Sequence, residues 1–175
     1  MAEPPAPPSP AGLERDALLA TKLHLPRPRP GFVPRPRLLE QLDQGMAREL
    51  VLVCTPAGFG KTTLLADWAR GGRRPVGWLS LDEGDNDPAR FWRHVAAALD
   101  GIRPGVAERV APLLRGLQPA AFQGVAATLV NELAGVADAV VLVLDDYHLI
   151  QAQSVHQSLG FLLEHLPASL RLVLA

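Results

Sequence analysis

The run Cys54-Thr55-Pro56-Ala57-Gly58-Phe59-Gly60-Lys61-Thr62-Thr63 combines residue types that can hold a polyphosphate. Gly58 and Gly60 carry no Cβ to stop backbone N–H groups from turning toward phosphate oxygens. A helix starting at Lys61 would aim its unpaired N–H groups and the positive end of its dipole at the same oxygens. Lys61 is a compact charge on a long stem, suited to the β- and γ-phosphates and to catalysis of their transfer. The Thr62 hydroxyl is a hard oxygen ligand for Mg²⁺. Pro56, Ala57, Phe59 and Thr63 complete the loop and the first helical turn. These residues fit the P-loop pattern G-x-x-x-x-G-K-S/T except at its first position, where Thr55 stands in place of glycine. A glycine-rich turn ahead of an ordinary surface lysine would share several of these letters. The chain, however, has only two lysines among its 17 basic residues, Lys22 and Lys61, which favours a specific use for Lys61.

Leu144-Asp145-Asp146 closes the apolar run of residues 140–144. A carboxylate at the carboxyl end of a buried parallel strand lies on the ligand-binding edge of its sheet. There Asp145 would hold Mg²⁺, directly or through water, and Asp146 would orient or deprotonate an attacking water. A strand ending in a solvated acidic turn has the same letters; the P-loop upstream gives the pair its weight. Asp82-Glu83-Gly84-Asp85-Asn86-Asp87 has the acidity of a Ca²⁺ loop, but the required bidentate Glu is replaced by Arg93, so it reads as a turn and helix cap. His148 either bonds locally or senses the γ-phosphate. His24, His94, His156 and His165 show no metal-ligand spacing. Trp68, Trp78 and Trp92 read as core or interface rather than base-stacking platforms. Lys22, Arg27, Arg29, Arg35 and Arg37 lie in a proline-rich stretch without an acid. That stretch reads as a strap against the nucleotide site more readily than as a nucleic-acid contact.

Alternating strands and helices must position these groups. Residues 50–54 form an apolar run, the pattern of a strand covered on both faces. A helix follows from Lys61 to the stop at Gly71-Gly72. Residues 76–81 predict a second strand, and Asp87-Pro88 a helix start with Asp87 as N-cap. Further helices are expected over 38–46, 120–134 and 154–165, and strands over 140–144 and 170–175. The order of elements argues for an α/β domain with a mostly parallel sheet. Ten of the 17 prolines precede residue 37, so the chain divides into a Pro/Ala-rich tail with a short helix (1–20), a Pro/Arg-rich lead-in with a helix (21–49) and the core (50–175). At 175 residues there is room for one domain. A net charge of -1 argues against nucleic-acid binding by bulk charge, and the single Cys54 excludes an internal disulfide. No apolar run or signal-peptide pattern points to a membrane, so the cytoplasm is the expected location.

Three blocks carry a family likeness: Thr-Pro-Ala-Gly-Phe-Gly-Lys-Thr-Thr-Leu-Leu from Thr55, Trp-Leu-Ser-Leu-Asp-Glu-Gly-Asp-Asn-Asp-Pro-Ala-Arg-Phe from Trp78, and Val-Leu-Asp-Asp-Tyr-His-Leu-Ile from Val143. With Thr-Lys-Leu-His-Leu-Pro-Arg and Phe-Val-Pro-Arg-Pro-Arg-Leu-Leu upstream, the chain from about residue 18 resembles the large LuxR-type transcriptional regulators related to the maltose-regulon activator, signal-transduction ATPases of the STAND class. The resemblance implies a P-loop NTPase module that binds ATP and Mg²⁺. It implies that Arg35 and Arg37 belong to a segment closing over the adenine side. It places the strand of residues 76–81 at an edge, followed by 140–144, 170–175 and 50–54, with a fifth strand beyond the end of this chain. ATP then acts as a switch for self-association and for DNA binding by a carboxy-terminal helix-turn-helix domain that lies outside these residues. The expected activity is at most a slow ATPase. The alternatives are a freestanding P-loop ATPase or small-molecule kinase, and a nucleic-acid binder working through the basic lead-in.

Overall fold

A computed structural model describes residues 18–27, 31, 33–56, 58–115, 122–136 and 138–175. Helix α1 (Pro36–Gly45) leads into strand β1 (Leu50–Leu52), then α2 (Lys61–Arg70) and β2 (Val76–Ser80). Helices α3 (Pro88–Asp100), α4 (Val106–Val110) and α5 (Phe122–Ala134) follow, then β3 (Val140–Asp145), α6 (Gln153–Glu164) and β4 (Leu170–Leu174). The four strands form one sheet in the order β1-β4-β3-β2, every neighbouring pair parallel. That is the arrangement the family resemblance implies for these strands. It sets the loops after β1 and β3 at the same edge of the sheet, either side of β4.

Strand alternation sorts the core into two layers. Trp78, Val141, Val143 and Val173 point to one face and pack with Leu42 of α1, with Met46 just after it, and with Leu65, Ala66 and Trp68 of α2. Leu79, Val140, Leu142, Leu144, Leu170 and Leu172 point to the other, against Phe91, Trp92, Val95 and Leu99 of α3 and apolar residues of α5 and α6. All six residues of β3 are buried, as expected of a central parallel strand read as a continuous apolar run. Asp87 caps α3 by accepting a hydrogen bond from the Arg90 N–H at 2.8 Å, with Pro88 at the first helical position.

Among the described residues, two boundaries differ from the sequence expectation by more than one residue, and one short helix is additional. β1 ends at Leu52 rather than Cys54, because its pairing with β4 runs out at Leu52 opposite Leu174, the last residue of that strand; a last bond from Val53 N–H to Leu174 O precedes the loop. α1 begins at Pro36, whose fixed φ and missing N–H suit the first helical position, rather than at Leu38. The short α4 was not anticipated; Val106 and Val110, one turn apart and buried, hold it against the core. Of the expected helix ending at Ala20, residues through 17 lie outside the described part, and Ala20 itself opens a 3₁₀ turn, Ala20–Leu23.

Candidate functional site

The loop after β1 turns on two glycines with positive φ, 83° at Gly58 and 81° at Gly60. A Cβ at Gly58 would meet nothing within 4 Å, so the requirement there is conformational rather than spatial. Gly60 is the N-cap residue of α2 and places no side chain over the first N–H groups of the helix, which are left to face the loop. The Lys61 ammonium donates to the Thr55 carbonyl at 3.1 Å. Pro56 contributes a carbonyl that accepts from the Phe59 N–H at 3.4 Å, while the Phe59 ring is 61% exposed. Thr63 lines a pocket of about 190 Å³ with Val33, Arg35, Gly60 and Leu64. Ala57 lies outside the described residues.

Asp145, the last residue of β3, is 1% exposed, and its Oδ1 has no hydrogen-bond partner. Burial is the largest influence on this carboxyl and pushes its pKa up; the Thr62 side chain and the Lys61 charge pull it the other way. The start of α2 and the end of β3 therefore face each other, with an orphaned carboxylate oxygen between them. A buried orphan of this kind is the donor that a hard cation satisfies, and a hydroxyl beside one carboxylate, leaving room for phosphate oxygens and water, is a Mg²⁺-type set. Among the described residues no three His, Cys, Asp or Glu side chains cluster as a metal site. Asp146 is half-exposed and has φ 59°, the single non-glycine positive φ among the described residues. Its neighbour Tyr147 ties the turn down through an N–H bond to Ala175 O at 2.8 Å.

The lead-in reaches the loop through Arg35, whose guanidinium donates to Phe59 O at 3.0 Å. Arg37 is exposed in the first turn of α1. Lys22 departs from the strap expectation: it is 8% exposed and ion-paired with Asp85, with Asp82 at 3.1 Å, so it is no part of a basic surface. Asp85 is fully buried and also meets His94 Nδ1 at 2.9 Å and Arg90 Nε at 3.5 Å. Sequence reading missed this cluster. The scarcity of lysine was the available signal, and it applied to Lys22 as much as to Lys61.

The acidic run 82–87 is a capped turn: the Asp82 side chain accepts from Gly84 N and Asp85 from Asp82 N, both at 2.9 Å. His148 is exposed, 3.9 Å from Asp146. All three tryptophans are core residues, each giving its indole N–H to a side-chain oxygen: Trp68 to Asp43, Trp78 to Ser80 and Trp92 to Ser158, at 2.9 Å in each case. Among the described residues no helix is long and apolar enough to cross a membrane.

No family model matches the chain. It is 39% identical over 156 residues to the HTH-type transcriptional regulator MalT of Cronobacter sakazakii, a match covering 89% of this chain and 17% of that protein. To the HTH-type transcriptional regulator MalT of Serratia proteamaculans it is 40% identical over 157 residues, covering 90% of this chain and 17% of the relative. The chain thus spans about one-sixth of the length of these curated relatives.

Proposed function

As a relative of the LuxR-type transcriptional regulators named MalT over nine-tenths of its length, this chain is, we propose, their ATP·Mg²⁺-binding switch module. The observation that carries the reading is the approach of Lys61 and Thr62 at the start of α2 to the buried, partly unpartnered Asp145 at the end of β3. Residues 50–175 form the nucleotide-binding core and residues 21–49 the lead-in beside it. The backbone N–H groups of Gly58 to Thr63 cradle the phosphates, and Lys61 exchanges the Thr55 carbonyl for a phosphate oxygen. Thr62 and Asp145 hold Mg²⁺, which when bound neutralises charge on the β- and γ-phosphate oxygens. Asp146 orients water at the γ-phosphate, and Arg35, with Arg37 behind it, borders the adenine side. Turnover is slow, and the bound nucleotide controls self-association and DNA binding by parts of a longer cytoplasmic protein. The regulatory part is supported by the relatives, both named HTH-type transcriptional regulator.

The reading is tested by titrating the 175-residue chain with fluorescent MANT-ATP in the presence and absence of Mg²⁺. Saturable binding that tightens with Mg²⁺ and is weakened about ten- to hundred-fold in Lys61→Ala is expected. Equal binding by the wild type and Lys61→Ala would overturn it.

A further inference from the structure

The turn between β2 and α3 touches both the lead-in and the acidic end of β3. At its centre Asn86 uses its whole amide. Nδ2 donates to Glu83 O and Leu149 O, both at 3.0 Å, and Oδ1 accepts from Gln151 N at 2.6 Å and Ala152 N at 2.8 Å. A side-chain amide has two donors and one acceptor oxygen with two lone pairs, so nothing is left over. Ala would satisfy none of these groups and Asp only the two N–H donors. Three of the four bonds cross to the segment that follows Asp146. One residue before the turn, Leu81 N–H bonds Asp145 O at 3.0 Å, so the strand that launches the turn also fixes the backbone of Asp145.

The other side of the turn is held by charge. Asp85 accepts from the Asp82 N–H inside the turn and is bonded by Lys22, which belongs to the lead-in. Just ahead of the lead-in, Leu19 N–H makes a second contact here, to His94 Nε2 at 3.5 Å, and His94 Nδ1 meets Asp85. Arg90 crosses close over Gly84, where a Cβ would lie 2.8 Å from the guanidinium carbon. A buried carboxylate that loses its lysine is left undercompensated in a dry setting, which is far more costly than the loss of an exposed pair. Withdrawal of Lys22 would therefore force the turn to rearrange, and the Asn86 bonds would move with it.

We propose that residues 82–86 are a positioning turn through which the Lys22 segment sets the geometry of the Asp145–Asp146 strand end, with Asn86 the positioning residue on the site side. The inference rests on the nucleotide-binding reading for its consequence, since what the turn positions is the metal-binding carboxylate. A lead-in docked through Lys22 leaves Asp145 ready for the metal. A lead-in drawn away loosens residues 146–152 and weakens the metal's hold, while the phosphate loop, on a different strand, is untouched.

The test uses the full 175-residue chain as wild type, Lys22→Met and Asn86→Ala, with amide hydrogen exchange followed by mass spectrometry and MANT-ATP titrated with Mg²⁺. Exchange over residues 146–152 should rise in both variants relative to β3 itself. The Mg²⁺ concentration needed for half-maximal response should rise about ten-fold, with Mg²⁺-free nucleotide affinity within about two-fold. Lys22→Gln, which keeps a donor toward Asp85, takes the place of Lys22→Met if the latter does not melt cooperatively, and Asn86→Asp, which keeps the two accepted bonds, likewise replaces Asn86→Ala. A uniform rise in exchange across the chain, or loosening of 146–152 by the Asn86 variant but not the Lys22 variant, overturns the proposal. So does an unchanged Mg²⁺ response in variants of a wild type that responds to Mg²⁺. A wild type with no Mg²⁺-dependent binding refutes the nucleotide reading instead, and the exchange comparison still decides whether the turn couples the two segments.

Discussion

Lys61 Nζ bonds the carbonyl of Thr55, the residue standing where the P-loop pattern has its first glycine. The lysine is thus held across the loop by a backbone acceptor that a phosphate oxygen can replace, so its stem does not need to be reordered on binding.

Removing Lys61 should cost affinity and not fold. Its ammonium packs into neither core layer, and a substitution of this kind changes stability by about 0.5 kcal/mol or less. A charge-assisted bond to phosphate is worth about 1.5–3 kcal/mol, a ten- to hundred-fold loss in affinity. Lys61→Ala is therefore expected to melt like the wild type and to bind MANT-ATP about ten- to hundred-fold more weakly. A large drop in melting temperature would mean that Lys61 holds the loop itself.

The two aspartates should separate. Asp145 is buried with an unpartnered oxygen, so Asp145→Asn removes a desolvated charge while keeping the shape. It should stabilise the metal-free chain by about 1 kcal/mol and abolish the effect of Mg²⁺ on nucleotide binding, the trade expected of a site residue held at a cost. Asp146→Asn should leave binding intact and slow phosphate release. Melting curves without Mg²⁺, MANT-ATP titrations and phosphate-release rates on both variants make the comparison. Identical effects on binding and turnover would reject the division of roles.

The parts of this molecule that were legible in sequence are those written in local pattern. The continuous run ending at Asp145 reads as a central strand because both faces of β3 are covered, and Asp87-Pro88 reads as a helix start because the cap is a contact between near neighbours. Strand order came from family likeness, since period alone does not say which strands are adjacent. Lys22 was misread for a physical reason: counted with Arg27, Arg29, Arg35 and Arg37 it looks like surface charge, and its partner Asp85 is distant in sequence. Asn86 stayed hidden inside an acidic run, because its role lies in bonds to residues 149, 151 and 152 that no spacing encodes.

Asp146 offers a test of backbone strain at the site. At φ 59° and ψ 35° it occupies the left-handed region, which Asp tolerates better than most residues and glycine best. Asp146→Gly should match or exceed wild-type stability, whereas Asp146→Ala should fall about 1 kcal/mol below Asp146→Gly. Urea unfolding midpoints of the three chains measure this. An Ala variant as stable as the Gly variant would mean that the turn relaxes out of the left-handed conformation.

The buried Asp85 should give the chain a specific acid sensitivity. Burial pushes its carboxyl up, but bonds from His94 and Lys22 and the Asp82 N–H outweigh that and hold the pKa at about 2, below its ordinary 3.8. The folded state therefore binds this proton less readily than the unfolded chain does. The ionised carboxylate contributes its full stabilisation above about pH 4 and loses it as the pH falls toward about 2, a span worth about 2 kcal/mol. Asp85→Asn should be less stable than wild type at neutral pH, because Lys22 loses its buried partner and keeps only the half-exposed Asp82 at 3.1 Å. Its stability should also fall less steeply on acidification, so the two curves converge toward pH 2. Urea midpoints taken from pH 7 downward test both halves of the argument. Curves that stay parallel throughout would show that some other carboxylate governs the acid limb and that the Lys22–Asp85 contact contributes little.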